Sequence, residues 1–453
     1  MMKKVLEGKA NEEEKEKLTI MPSAFTKDQE NQWNEWNEKN DSPFAVYFPF
    51  KLFFFEQSQP LLPSSLSKQA VEEVIENCFA SLRSIFTELK EYRPFELLRT
   101  NYQRVQYVLT NQARIIAMTC THAAIARQRL LDANFQYDTL VIEEAGQIVE
   151  LETFIPFVLQ KASEEGCRLK RVVLLGDPSQ LPPIVQNHRL AREANYDQSL
   201  FSRLIRLGVP SIQLDAQGRC RPSLASLFSW NYRNLTNLPC VERNMQANPC
   251  LRYEYQCIHC NGEEKEIQPH VYQNEVEANY IVAFYQYLRL CGYSSQQIAI
   301  ITSYNGQREL IAKQMRESCK NNPVFGMPSK IATIDKYQGQ QNDIILVSLV
   351  RTQSVGYMRD IRRMVVTVSR ARLGLYMFCN TTLFSKCFEL KPIFDQMLRR
   401  PCSLQLVESE CIPCNRQVSD EVTGFEVTDE KHMMQIVYYY YEMKRKMMEE
   451  SSG

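Results

Sequence analysis

A chain of 453 residues, 44% of them hydrophobic, is too long for one ordinary domain and apolar enough for two buried cores. Its 53 lysines and arginines offset 53 aspartates and glutamates, which excludes a global field that gathers polyanions; attraction for nucleic acid has to come from local patches. Fifteen cysteines, an odd number behind a charged N-terminus with no apolar signal core, fit a reducing compartment better than a disulfide framework.

In chain order, residues 1 to 30 are rich in lysine and glutamate and poor in large apolar side chains, so they are expected to be disordered or frayed. "FAVYFPFKLFFF" (Phe44 to Phe55) has 12 residues interrupted by Pro49 and Lys51, too few to cross a bilayer; it reads as a buried connector, and no membrane partner is expected. Phe53 to Phe55 read as core, since only Lys51 interleaves them. From about 65 to 112, apolar residues recur every three or four positions, the period of packed helices, so residues 31–112 are a helical module with its connector.

Short apolar runs then alternate with helical stretches. "RIIAMTC", "TLVIEEA", "RVVLLGD" and "SIQLDA" are short enough to be strands buried on both faces. After a helix at about 274 to 291 come "QIAIITSY", "KIATIDKY", "DIILVSLV" and "LGLYMFCN". Two such blocks imply an α/β chain with two parallel-sheet lobes, residues 113–210 and 211–400. Residues 401–453 read as irregular and then helical, and "YYYY" at 438 to 441 fits a partner-binding helix or packing on the second lobe.

Ligands of open parallel sheets collect at the carboxyl ends of strands. Five polar clusters are expected there: Glu143 and Glu144; Gly176 and Asp177; Gln217 to Arg221; Gln338 to Gln341; and Ser369 to Arg372. A lone carboxylate pair is commonly a surface feature, whereas five ordered clusters point to a site. "CIHC" (Cys257, Cys260) and "CIPC" (Cys411, Cys414) have zinc-ligand spacing, but about 150 residues separate them, and reduced structural thiols are the preferred reading over zinc. "RLKR" (168–171) and "RDIRR" (359–363) add local positive charge, each also readable as a solvated face.

In this order, "VIEEAGQ", "LLGDPSQLPP", "QGRCRPSL", "TIDKYQGQQNDIILVSLVRT" and "VVTVSRARLGLY" resemble motifs II to VI of superfamily 1 helicases, in the branch of senataxin and the nonsense-decay helicase. "AMTCTHAA", "ETFIPFVLQ", "LDAQGR" and "YNGQ" resemble its intron-binding spliceosomal members most, over residues 43 to about 400. The resemblance implies two RecA-like lobes with parallel sheets, the first incomplete, and an ATP-dependent RNA helicase acting in the nucleus on intronic pre-mRNA with spliceosomal proteins. It implies that Glu143 holds hydrated Mg²⁺ and Glu144 orients or deprotonates water, that Gln180 senses the γ-phosphate, and that Arg219 and Arg370 act as arginine fingers across the cleft. By the same resemblance Gly176, Asp177, Gln217, Gln338, Gly339 and Arg372 line the ATP site. Gly218 stands where many relatives place an adenine-stacking tyrosine, which argues against tight base recognition.

Thr119, Thr121 and His122, with Thr302, Ser303 and Tyr304, match segments that hold nucleic acid in the family. Hydroxyls suit phosphates and an aromatic ring stacks on bases, but strand-end hydroxyls also satisfy local backbone groups. The sequence departs from the family in one respect: the 453 residues contain no G-x-x-x-x-G-K-[ST], the loop whose amides and lysine cradle phosphates. The expectation is therefore the latter part of a helicase core with negligible ATP turnover by itself, and the alternative is a non-catalytic RNA- or protein-binding scaffold.

Overall fold

The computed structural model describes residues 67–451, except 162–165, 186, 244–245 and 409, together with Glu38, Phe48, Leu61 and Leu62. The expectations for residues 1–30 and 44–55 lie outside the described residues, apart from a buried Phe48. The chain divides into two compact units, Met1–Ile116 and Ala117–Gly453.

In the first unit, helix α1 (Lys68–Leu97) starts where the Ser67 side chain accepts from the Ala70 amide. It buries Val71, Ile75, Cys78 and Leu82, whose spacing of four, three and four places them on one face. Helix α2 (Asn101–Tyr107) opens with a capping box between Thr100 and Gln103 and runs into a π turn at Val108–Gln112. These helices are the module expected from the apolar period.

The second unit holds both lobes. In the first lobe, α3 (Cys120–Asp132) precedes β1 (Thr139–Ile142), α4 (Glu150–Phe154), β2 (Arg171–Leu174) and α5 (Leu200–Arg206). β1 and β2 pair in parallel from Thr139↔Arg171 to Ile142↔Leu174. Two expected strands are not formed. Residues 115–119 and 211–215 join no ladder, and of "SIQLDA" only Ala216 pairs, in β3 (Ala216–Gln217) against β4 (Thr236–Asn237). An apolar run becomes a strand only beside a hydrogen-bonding neighbour; among the described residues, 115–119 have none in a ladder, and "SIQLDA" meets one only at its end, where Asp215 O accepts from the Thr236 amide. Ile115 and Ile212 are accordingly 90% and 95% exposed, and Val172 and Val173 of β2 are open to solvent despite their apolar character.

Helix α6 (Pro222–Ser229) leads into the second lobe, where β5 (Tyr255–His259) is followed by a hairpin of β6 (Lys265–Gln268) and β7 (Val271–Gln273). Then come α7 (Glu275–Leu290), β8 (Ile298–Thr302), α8 (Asn305–Ser318), β9 (Lys330–Thr333), the single turn α9 (Ile334–Tyr337), β10 (Asn342–Ser348), α10 (Ile361–Val368) and β11 (Ala371–Cys379). Five strands form an all-parallel sheet in the order β5-β11-β10-β8-β9. The period of two divides each strand between two cores: Ile345 and Val347 of β10 pack with α6 and α10, while Ile344 and Leu346 pack with α7 and α8. The "CIHC" run is part of this sheet; Cys257 lies on β5 with its Sγ 3.5 Å from Cys379 Sγ of β11. Among the described residues no group of three or more His, Cys, Asp or Glu side chains could hold a metal ion, and no helix is long and apolar enough to cross a membrane.

Beyond residue 400 the chain is more regular than expected. β12 (Leu404–Leu406) and β13 (Phe425–Val427) pair antiparallel, and α11 (Glu430–Ser451) lies along α7. The tyrosine run divides as helical geometry requires: Tyr440 meets Tyr287 edge-on at 5.8 Å and Tyr441 tilts on Phe325 at 5.4 Å, while Tyr438 and Tyr439 face solvent.

Where β10 ends, Val350 holds φ +70°, a left-handed conformation costly for a β-branched residue. A buried carboxyl group holds it there. Glu277 Oε2 accepts from the Val350 amide at 2.9 Å and from Ser348 Oγ at 2.6 Å, and Asn274 Nδ2 donates to Val350 O at 3.3 Å. Burial raises the Glu277 pKa from 4.5 to about 8, against the opposing pull of these hydrogen bonds. The folded protein thus keeps a proton that the unfolded chain releases, so this contribution to stability is full below about pH 4.5 and is lost as pH rises through 8. Glu277→Gln is expected to flatten that loss, by roughly 2–4 kcal/mol across the window, as read from urea unfolding at pH 5 and pH 8.

Candidate active site

β1 ends at two glutamates that the backbone separates. Glu143 is exposed, whereas Glu144 takes φ +52° and starts a 3₁₀ turn at Ala145–Gln147, a strained conformation of the kind that gathers at functional sites. Gln147 Nε2 donates to Glu144 Oε2 at 2.6 Å, and Oε1 accepts no hydrogen bond among the described residues. The loop after β2 presses against this turn. A Cβ on Gly176 would lie 2.9 Å from the Gly146 amide nitrogen and 3.2 Å from the Phe201 ring, so only glycine permits the approach. Gly176 therefore sets how closely two acidic loops sit.

The loop from Gly176 to Pro183 is seated on the second lobe. Leu181 is 2% exposed within the core beneath α6 and the large sheet. Asp177 Oδ2 accepts from Gln180 Nε2 at 2.7 Å and from Tyr232 Oη, of the second lobe, at 2.6 Å. Gln180 Oε1 accepts from Arg370 Nη2 at 3.3 Å. On the facing side, Gly339 has φ +74° and would place a Cβ 3.7 Å from Glu144 Oε1.

The second lobe supplies the positive charge. Arg370 is 1% exposed; its Nε donates to Val366 O at 2.9 Å, and Nη1 reaches Gln340 O at 3.4 Å. Burial, and then Arg219 beside it, push its pKa down to about 10, still charged at neutral pH. Arg219 Nη1 donates to Ser369 O at 3.3 Å, and its Nε to Gln341 Oε1. Gln217 holds the turn beneath Arg219: its Oε1 accepts from the amides of Arg219 and Cys220 at 2.9 and 2.8 Å, and its Nε2 donates to Cys220 O and Asn237 Oδ1. Arg372 is committed to Asp343 at 2.5 Å, and Gln338 Nε2 is buried without a hydrogen-bond partner among the described residues.

The clusters do not all lie at carboxyl ends of strands, as expected. Gln340, Gln341 and Arg370 precede β10 and β11; the Asn342 amide donates to Arg370 O, and its side chain to Gln296 O, at the amino ends of the sheet. A cleft of about 530 Å³ opens there, lined by Arg219, Lys330, Tyr337 and Gly339 to Asn342. Thr302, Ser303 and Tyr304 sit at the opposite edge, where β8 ends. The chain reverses through α9, which carries Gln338 and Gly339 back towards the amino edge.

Residues 3–188 match one family model described as an AAA domain, and residues 196–382 match a second of the same description. RNA helicase aquarius of Mus musculus is 46% identical over 399 residues, covering 86% of this chain and 27% of that protein. The chain belongs to the superfamily 1 helicases. Pre-mRNA-splicing factor cwf11 of Schizosaccharomyces pombe is 27% identical over 86% of this chain and 30% of its own length. A regulator of nonsense transcripts 1 homolog of Arabidopsis thaliana is 30% identical over 64% of this chain and 23% of its own. This helicase chain therefore spans less than a third of each of these relatives.

The nucleic-acid candidates of the helicase chain differ among themselves. Thr119 caps α3, its Oγ1 accepting from the His122 amide at 3.1 Å, so that hydroxyl satisfies a local backbone group; Thr121 and His122 are exposed. Thr302 is fully buried, out of reach of a ligand on the surface, with an Oγ1 that makes no hydrogen bond among the described residues, and the Ser303 amide donates to Ser348 O. Tyr304 stands edge-on between Tyr272 at 5.1 Å and Tyr357 at 4.9 Å. Arg351 completes that group, 4.1 Å over the Tyr272 ring, with Nη1 3.2 Å from Tyr304 Oη and Nε 3.0 Å from Glu264. Sequence reasoning gave no role to Arg351 and Leu181, although both lie inside quoted motifs, and passed over Tyr272 and Tyr232, which lie in none.

Leu181→Ala removes the apolar anchor of the loop and should cost about 2–4 kcal/mol of stability. Urea unfolding followed by tryptophan fluorescence, with Leu151→Ala on an exposed site as the control, measures it.

Proposed function

We propose that this chain is the part of an ATP-dependent RNA helicase that closes around the hydrolysis site, acting on intronic RNA in pre-mRNA splicing, in the nucleus and beside spliceosomal proteins. One observation carries the reading: Gln180 of the first lobe meets Arg370 of the second at 3.3 Å, beside the open carboxylate oxygen of Glu144. Acid, amide and guanidinium groups from two lobes converge, which is what stabilising charge on a transferring phosphoryl group requires. The printed names of aquarius and cwf11 support the assignment to RNA and to splicing.

Within the proposal each group has a task. Glu144 Oε1 is free to orient a water or take its proton, with Gln147 fixing the other oxygen. An exposed Glu143 next to it suits the hydration shell of a magnesium ion, which would supply charge neutralisation for triphosphate when bound. Arg219 and Arg370 balance phosphate charge. Because Arg370 spends its donors on Val366, Ser369, Gln340 and Gln180, it has to exchange some of these for phosphate oxygens. The sheet then links two edges, phosphate at the amino ends and RNA where β8 ends, where Tyr304, Tyr272 and Arg351 present aromatic and cationic surface.

A second reading, an RNA-binding scaffold without turnover, rests on the lack of G-x-x-x-x-G-K-[ST] in these 453 residues. Loops that supply carboxylates and guanidinium groups without a phosphate cradle should bind MgATP weakly. The chain by itself is expected to show ATP turnover at background with or without single-stranded RNA in a coupled assay. Robust RNA-stimulated turnover that Glu144→Gln abolishes would show instead that these loops suffice. Binding is tested separately. Tyr304→Leu, which removes a half-buried aromatic ring from the edge where β8 ends, should weaken single-stranded RNA binding roughly 10-fold in fluorescence anisotropy. Unchanged affinity would remove Tyr304 from the RNA face.

A further inference from the structure

Tyr232 belongs to none of the sequence motifs. It follows α6 on the second lobe, where its amide donates to Ser229 O, its ring meets Phe228 edge-on at 6.3 Å and its body packs against the core below the sheet. From there the phenol reaches across to Asp177 Oδ2, 2.6 Å away, on the first lobe. A hydroxyl donating to a carboxylate at that distance is a charge-assisted bond, stronger than a neutral one. Burial and the Asp177 charge both hold the proton on the phenol, pushing its pKa well up.

The consequence passes through Asp177 to Gln180. Asp177 Oδ1 accepts from the Ser179 amide at 2.9 Å, which fixes the carboxylate on its own loop. Oδ2 accepts from Gln180 Nε2, and Gln180 Oε1 accepts from Arg370 Nη2. A reversed amide would set oxygen against carboxylate and NH₂ against guanidinium, so acidic and basic neighbours together allow one orientation. Both cross-lobe bonds, Tyr232 to Asp177 and Arg370 to Gln180, exist only while the lobes touch. Gln180 thus has a defined orientation in the closed arrangement and loses it on separation.

We infer that Tyr232 is a positioning residue: by tying Asp177 to the second lobe it makes the orientation of the nucleotide-facing Gln180 depend on lobe contact. The importance of Gln180 rests on the motor reading above, but the chain of contacts does not require turnover. Hydrogen–deuterium exchange of the ligand-free chain therefore tests it without ATP or RNA, and its failure would leave the motor reading standing. Tyr232→Phe removes one oxygen and keeps the ring; Asp177→Asn weakens the same bond from the other side. Each is expected to speed exchange at the amides of Ser179, Gln180 and Leu181 roughly tenfold, with β10 still protected and with the double variant no faster than either single one. A purely structural ring would give a different pattern. Unchanged exchange at these amides, additive effects in the double variant, or equal loosening of β10 by Tyr232→Phe would each overturn the inference. Should Tyr232→Phe fail to fold, Asp177→Asn decides by the same criterion.

Discussion

The seating of one short loop on the opposite lobe governs this molecule. Between Gly176 and Pro183 the first lobe commits an apolar side chain, Leu181, to the core of the second, and two polar side chains, Asp177 and Gln180, to Tyr232 and Arg370. The apolar contact is non-directional and supplies adhesion; the hydrogen bonds are directional and supply register. Because the same loop abuts the Glu143 and Glu144 turn through Gly146 and Gly176, any shift of the second lobe is felt at the carboxylates.

This arrangement gives adjacent like charges a physical rationale. The left-handed backbone at Glu144 separates the two side chains into different surroundings, one in solvent and one beside Gln147 and Gly339. Repulsion is thereby reduced without a counter-ion. The strain of a non-glycine residue at positive φ is held by packing on both sides, as at Val350, where a buried carboxyl performs the same service.

The second-lobe sheet keeps two sets of polar side chains apart. Guanidinium and amide groups line its amino edge and hydroxyl and aromatic groups its carboxyl edge, so a five-stranded block buried on both faces lies between them. A block packed to crystal-like density moves as a unit. The first-lobe sheet has two strands among the described residues, and Val172 and Val173 of β2 are exposed.

Much of the second lobe was legible in the string. Continuous apolar runs such as "DIILVSLV" read as strands covered on both faces, the three- and four-residue period marked α7 and, outside this lobe, α1, and the ordered motifs contain Arg219 and Gly339 to Asn342 of the cleft. What failed did so for tertiary reasons: "RIIAMTC" and "SIQLDA" carry strand composition, but a ladder needs a partner that composition cannot report, and Gln217 and Thr119, polar and well placed, are occupied by their own backbone turns. The sequence by itself determined which residues are chemically able to act, because side-chain type and local periodicity are properties of neighbouring positions. Only the tertiary structure decided which of them meet, since the contacts of Tyr232 with Asp177 and of Arg370 with Gln180 join positions 55 and 190 residues apart, and no local preference encodes a distance of that kind.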